Sequence, residues 1–76
     1  MLTKKEKIES KIKKLNAIRA MYQRDFEEIE KRYKEKELSK EEFEKRKQKH
    51  EARMDKLKEK IRRLEEKLDR LEDKGE

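Results

Sequence analysis

The sequence predicts an all-α protein, an antiparallel two-helix coiled-coil hairpin, from three observations. Apolar residues recur at alternating steps of three and four along both halves of the chain, which is the spacing of coiled-coil a and d positions. Charged residues make up 61% of the 76 residues and hydrophobic residues 29%, which excludes a large enclosed core. Both halves keep the same heptad phase, so register alone leaves one continuous helix open, but a helix-start signal at Ser39 predicts a turn between two helices.

The first predicted helix covers about residues 3–37. One charged residue, Arg19, stands among its apolar a and d positions. No proline occurs in the chain and its single glycine is Gly75, so nothing breaks this helix internally. At about 1.5 Å per residue it is roughly 50 Å long. Its apolar a and d residues are Ile8, Ile12, Leu15, Tyr22, Phe26, Ile29 and Tyr33.

The predicted turn occupies about residues 37–39. Ser39 and Glu42 form the S-x-x-E pattern of a capping box, and Leu38 and Phe43 occupy the two positions of a hydrophobic staple. A helix that ends here usually has a glycine in the left-handed conformation just after it. We assign that position to Glu37, where the glycine is missing. The second helix then covers about residues 40–74.

In the second helix the d positions begin at Phe43 and include His50, and Lys47 is at an a position. Because a short turn makes the two helices antiparallel neighbours, residues whose numbers add up to 76 should face each other. Tyr33 then pairs with Phe43, and Phe26 with His50. The other apolar a and d residues of this helix are Met54, Leu57, Ile61, Leu64, Leu68 and Leu71.

A hairpin of two helices buries only one stripe of side chains, so we expect it to be marginally stable alone. Four further apolar residues widen the face of the first helix: Ala17, Ile18, Ala20 and Met21. These residues are the predicted oligomer interface. We therefore expect a homodimer of hairpins that forms a four-helix bundle.

Charge is segregated on the two flanks of the predicted hairpin, and the net charge is +6. The g and c positions form a basic side, which collects cations from both helices at the open end. The e and b positions form an acidic side, which collects most of the glutamates. The candidate polyanion-binding residues on the basic side are Lys4, Lys7, Lys11, Lys14, Lys56, Lys60, Arg63, Lys67, Arg70 and Lys74.

Three interpretations of the basic side stay open. It is a solvated coiled-coil surface, an interface with a second copy or another protein, or a sequence-nonspecific nucleic-acid surface that contacts phosphates. A stripe of like charge forgoes the i,i+4 pairs that usually stabilise an exposed helix, which favours an external partner. The aromatic residues Tyr22, Phe26, Tyr33 and Phe43 all lie at a or d positions, which disfavours base stacking.

Several function classes find no support in the sequence. The chain has no cysteine and one histidine, His50, so we expect neither a disulfide nor a transition-metal site. Nothing resembles a nucleophile with its base or a glycine-rich phosphate loop, so we expect no enzymatic activity, no cofactor and no small-molecule substrate. No apolar run is long enough to span a membrane, and residues 1–5 precede no signal-type segment. We expect a cytoplasmic protein.

Residues 29–50 resemble the SHOCT family of short helical hairpins. The resemblance rests on Tyr33, Leu38-Ser39, Glu41-Glu42-Phe43 and the stretch from Lys45 to Lys47. It implies an oligomerisation or interaction hairpin of the kind appended to other proteins. Together with the residue patterns, it favours a non-enzymatic interaction or scaffolding module that acts by self-association or protein binding. The alternative is sequence-nonspecific nucleic-acid binding through the basic side.

Overall fold

The computed structural model describes residues 1–73, which form two α-helices that pack against each other, α1 at Lys4–Lys34 and α2 at Lys40–Asp73. The pair measures 55 × 19 × 14 Å. One unbroken helix of this chain would be about 110 Å long, so the chain reverses direction near its middle. The predicted all-α hairpin is confirmed.

The start of α1 is fixed by a capping box at Thr3. The amide of Glu6 donates to Thr3 Oγ1 at 3.1 Å, and the amide of Thr3 donates to Glu6 Oε1 at 3.2 Å. Such a cap stabilises a helix by about 1 kcal/mol. Basic residues Lys31, Arg32 and Lys34 occupy the last turn, where they face the negative end of the helix dipole.

The end of α1 differs from the prediction, because the helix stops at Lys34 instead of continuing to about Glu37. Lys36 adopts the left-handed conformation with φ of 62°. Its amide donates to Tyr33 O at 3.0 Å, and the amide of Glu37 donates to Arg32 O at 2.8 Å. These two bonds make a Schellman motif. The left-handed residue is therefore Lys36 and not Glu37, and the motif ends the helix earlier than the apolar pattern indicates.

Ser39 begins α2 as predicted, although its capping box forms differently. The amide of Glu42 donates to Ser39 Oγ at 3.1 Å, while the Ser39 hydroxyl donates to Glu42 Oε1 at 3.1 Å. The carboxylate thus accepts from the hydroxyl, whereas a full capping box uses the Ser39 amide. The first helical bond runs from the Phe43 amide to Ser39 O at 2.9 Å. Leu38 and Phe43, the predicted staple residues, are both half-buried.

Stacked rings join the helices in the half nearest the turn. The ring centroids of Tyr33 and Phe43 are 4.2 Å apart, and those of Phe26 and His50 are 4.3 Å apart. Phe26 also stacks on Phe43 at 6.0 Å. Both predicted pairs in this half are confirmed. His50 therefore takes part in the contact between the helices.

The seam, by which we mean the facing a and d positions, contains a thin core. Among residues 1–73 only Leu57 and Ile61 are buried, with 7% and 6% of their surface exposed. The remaining apolar a and d residues are half-buried. At the open end, Lys5 Nζ lies 3.7 Å from Glu72 Oε1, so the antiparallel register persists over the full length of the described hairpin.

Replacing Lys36 with glycine should stabilise the hairpin. A lysine with φ of 62° has a steric strain that glycine lacks, so Lys36→Gly should raise the free energy of unfolding by about 1 kcal/mol. Urea unfolding followed by circular dichroism at one fixed protein concentration measures this. The control Lys31→Gly places glycine inside α1 and should lower the same quantity by about 1 kcal/mol. A Lys36→Gly variant no more stable than the parent would contradict the left-handed assignment.

Candidate interaction surfaces

A continuous groove follows the basic side at the open end of the hairpin. Two depressions, of about 400 and 470 Å³, adjoin there and share Lys11, Leu64 and Lys67 among their lining residues. We call them together the basic groove. Its positively charged lining residues are Lys4, Lys7, Lys11, Lys14, Lys60, Arg63, Lys67 and Arg70. Its apolar lining residues are Ile8, Leu15, Ile18, Leu64 and Leu71.

The structure gathers eight of the ten predicted polyanion-binding residues in this groove. Lys56 is exposed on α2 but does not line it. Lys74 lies outside the described residues. No acidic residue of the described part lines the groove. The groove is therefore cationic on both sides and apolar between them.

Helical periodicity explains why these cations come together. On each helix they recur at steps of three, four and three residues, which keeps them on one face. Antiparallel pairing then sets the two rows along the same side of the hairpin. Lys11 of α1 and Lys67 of α2 line both depressions, so like charges are neighbours across the groove. Both rows of cations would attract an anion placed between them.

Arg63 is the one groove cation that forms an ion pair within residues 1–73. Its Nε lies 3.2 Å from Glu59 Oε1, and Glu59 is also bound by Arg62, whose Nη2 lies 2.6 Å from the same oxygen. Arg62 makes a second ion pair with Glu66. The spacing of these residues at three and four positions could have indicated this network from the sequence. The other seven groove cations have no carboxylate of the described part within 4.0 Å.

The network shifts the titration of its members. Hydrogen bonds from Arg62 and Arg63, together with the positive charges of both residues, lower the pKa of Glu59 from 4.5 to about 2. The hydrogen bond to Glu59 and the negative charges of Glu59 and Glu66 raise the pKa of Arg62 above its ordinary value. Glu59 therefore stays ionised at any pH near neutrality and holds the Arg63 guanidinium beside the groove.

The predicted oligomer-interface residues span a wide arc of α1, with Ile18 and Ala20 at its two edges. Ala17, Ala20 and Met21 are exposed, Met21 with 46% of its surface. Ile18 is half-buried and lines the basic groove. Ala20 instead lines a separate depression of about 330 Å³, with Asn16, Arg19, Gln23 and Met54. Ile18 and Ala20 thus point to different sides of α1.

Nearer the turn, the basic side has a different character. A third depression of about 360 Å³ includes the acidic Asp25 beside Arg46, Lys49 and Arg53. The guanidinium carbon of Arg53 lies 5.5 Å from the centroid of the Tyr22 ring, which is a cation–π contact. Sequence reasoning missed this contact. A further depression on this half, lined by Lys45, Arg46, Gln48 and Lys49, also has no acidic lining residue, but its cations come from α2 alone.

Comparison with protein-family models, curated proteins and solved structures finds no match to this chain. The resemblance of residues 29–50 to SHOCT hairpins stays a prediction. Within residues 1–73, no group of three or more His, Cys, Asp or Glu side chains is placed to hold a metal ion. Neither described helix combines the length and apolarity that crossing a membrane requires.

The Glu59 carboxyl should titrate well below its ordinary range. Its pKa of about 2 means that the stability it contributes is fully present above about pH 4.5 and is lost as the pH falls through 2. Side-chain carboxyl NMR should give a midpoint near 2 in the parent. In Arg62→Gln the midpoint should move toward 4.5, because the main hydrogen-bond donor is gone.

The matched control for this titration is Arg24→Gln, which removes an exposed arginine of α1 and should leave the Glu59 midpoint unchanged. A parent midpoint near 4.5 would show that the network does not persist in solution.

Proposed function

We propose that this chain is a non-enzymatic interaction module that acts by self-association of hairpins. The main support for this proposal is the thin core, since Leu57 and Ile61 are the only buried residues among positions 1–73. Complete burial of an apolar side chain is worth about 1.5–3 kcal/mol. The hairpin alone therefore gains only part of this stabilisation, and contact with a second hairpin in a four-helix bundle would bury further apolar surface.

The middle of α1 offers the most suitable contact surface. Residues 15–23 contain a single charged residue, Arg19, although 61% of the chain is charged. In a two-fold symmetric dimer, each residue near the axis lies beside its own copy, so charges there would repel each other. The neutral stretch avoids this repulsion, and the small side chains of Ala17 and Ala20 allow two helices to approach closely. Met21, which is exposed, adds apolar area.

The charges on either side of this stretch are complementary in an antiparallel dimer. Residues 4–14 contain six lysines and two glutamates, a net charge of +4. Residues 24–30 contain one arginine and four acidic residues, a net charge of −3. Antiparallel contact between two copies of α1 would place the basic segment of each beside the acidic segment of the other. Such complementarity favours this orientation and speeds association.

Sequence-nonspecific nucleic-acid binding is the second candidate, favoured by the eight clustered cations of the basic groove. Its affinity for duplex DNA should fall about a thousandfold between about 50 and 200 mM salt, because phosphate contacts release counterions. Fluorescence anisotropy of a labelled duplex measures this dependence. Absence of binding at the low-salt end removes this candidate. We place it second because phosphates make no use of the apolar groove floor.

Self-association should appear as a doubled mass. Sedimentation equilibrium at high micromolar concentration should give twice the 9.5 kDa of one chain. The double variant Ala17→Glu/Ala20→Glu should weaken the dimer about a hundredfold or more, because it sets like charges side by side at the axis. Glutamate is a good helix former, so circular dichroism at the same concentration should show whether α1 itself persists.

The matched control is Ala52→Glu, an exposed position on α2, which should leave the dimer intact. A parent that sediments as one chain would refute self-association. Equal weakening by Ala52→Glu would place the interface elsewhere.

A further inference from the structure

The basic groove has two cationic walls and an apolar floor. A polyanion without apolar groups would contact the walls but not the floor. We propose that the groove binds an acidic amphipathic helix from another protein. The proposal rests on the interaction function above and names the partner of one surface. The groove follows the line between α1 and α2 at the open end. Leu15 and Ile18 belong to the neutral stretch and also line the groove, whereas Ala17, Ala20 and Met21 do not line it.

The floor provides sites for apolar anchors. Ile8, Leu15, Ile18, Leu64 and Leu71 are all half-buried, so each keeps apolar surface that the hairpin itself does not cover. A helix bound in a groove inserts side chains at positions i, i+3, i+4 and i+7. Such a row of leucines would cover the floor between the two lines of cations.

The walls select the charge of the partner. Seven of the eight groove cations make no ion pair within residues 1–73, and Lys11 and Lys67 are like-charged neighbours across the groove. Carboxylates on both flanks of an apolar stripe would lie against both walls at once. This arrangement would relieve the repulsion between the two rows of cations and fix the orientation of the bound helix.

The length of the groove sets the length of the partner. From Lys4 to Ile18 the groove follows about four turns of α1, roughly 21 Å. A bound helix of about 14–16 residues spans this distance. Longer partners would extend beyond the open end or over the depression that contains Asp25.

Other occupants fit less well. The acidic side of a second copy brings glutamates but no apolar stripe for the floor. Two basic grooves facing each other would repel. Phosphates of a nucleic acid or of lipid headgroups would contact the walls and leave the floor exposed to water. An acidic amphipathic helix uses both features of the groove.

The test is anisotropy of a fluorescein-labelled 16-residue peptide, with leucines at helical spacing and glutamates on both flanks, titrated with the full chain. We expect micromolar affinity that weakens with added salt. The variant Lys11→Glu/Lys67→Glu should bind at least about tenfold more weakly, because it reverses charge on both walls. The variant Ile18→Gln should also weaken binding, because it makes the floor polar.

The matched control is Lys45→Glu/Lys58→Glu, which changes the net charge equally at exposed positions outside the groove. It should bind the peptide within about twofold of the parent, the loss expected from long-range charge alone. Circular dichroism of each variant shows whether the hairpin remains helical. Equal loss in the control would overturn the proposal, since it would show attraction to net charge and not to the groove.

Three further binding measurements distinguish the possible ligands of the groove. A scrambled peptide of identical composition should bind about tenfold more weakly, because its leucines no longer share one face; equal binding would overturn the proposal. A 20-base-pair duplex and phosphatidylserine-containing vesicles are tested in the same way. The proposal would also be overturned if either bound more tightly than the peptide and lost that binding in Lys11→Glu/Lys67→Glu. Sedimentation of the same samples keeps the proposals distinct. If the chain is a dimer that does not bind the peptide, this proposal alone is overturned. If the chain is a monomer that binds the peptide, self-association alone is overturned.

Discussion

The reversal of the chain between α1 and α2 is the constraint on which the other contacts depend. Two local motifs make it, the Schellman bonds around Lys36 and the Ser39 side-chain cap, and they leave only residues 35–39 between the helices. So short a link permits essentially one antiparallel register. This register sets the contacts along the whole hairpin, from the Tyr33–Phe43 stack beside the turn to the Lys5–Glu72 ion pair at the open end.

Antiparallel pairing of two helices with the same heptad phase has an electrostatic consequence. It sets g positions beside g positions, so cations such as Lys11 and Lys67 become neighbours. Parallel pairing would have matched basic g with acidic e positions. Exposed ion pairs are worth only about 0–1 kcal/mol each, less than the apolar and aromatic contacts that the hairpin makes. The charge pattern therefore does not select this fold, and it remains available for association with other molecules.

Local signals in the sequence predicted most of the fold, and the features that were not predicted are those for which such a signal is absent. The seam pairs and the start at Ser39 followed from apolar spacing and capping chemistry. The predicted end of α1 was too late because a lysine, Lys36, occupies the left-handed position, where a glycine usually marks the end of a helix. The Glu59–Arg62 network was visible as spacing, but its geometry depends on side-chain rotamers. Four of the five floor residues of the basic groove were assigned to the seam and Ile18 to the oligomer interface, since the periodicity of residues such as Ile8 and Leu64 does not reveal how much of each stays exposed.

By itself, the sequence determined the helical class, the heptad phase, the segregation of charge around each helix and the position where α2 begins. All of these depend on residues within a turn or two of each other, because helical periodicity and capping are local. Only the tertiary structure decided that eight cations border one apolar groove and that just Leu57 and Ile61 of the described chain are buried. Those features depend on how closely two helices approach and which rotamers lie between them, and no single stretch of sequence specifies that separation.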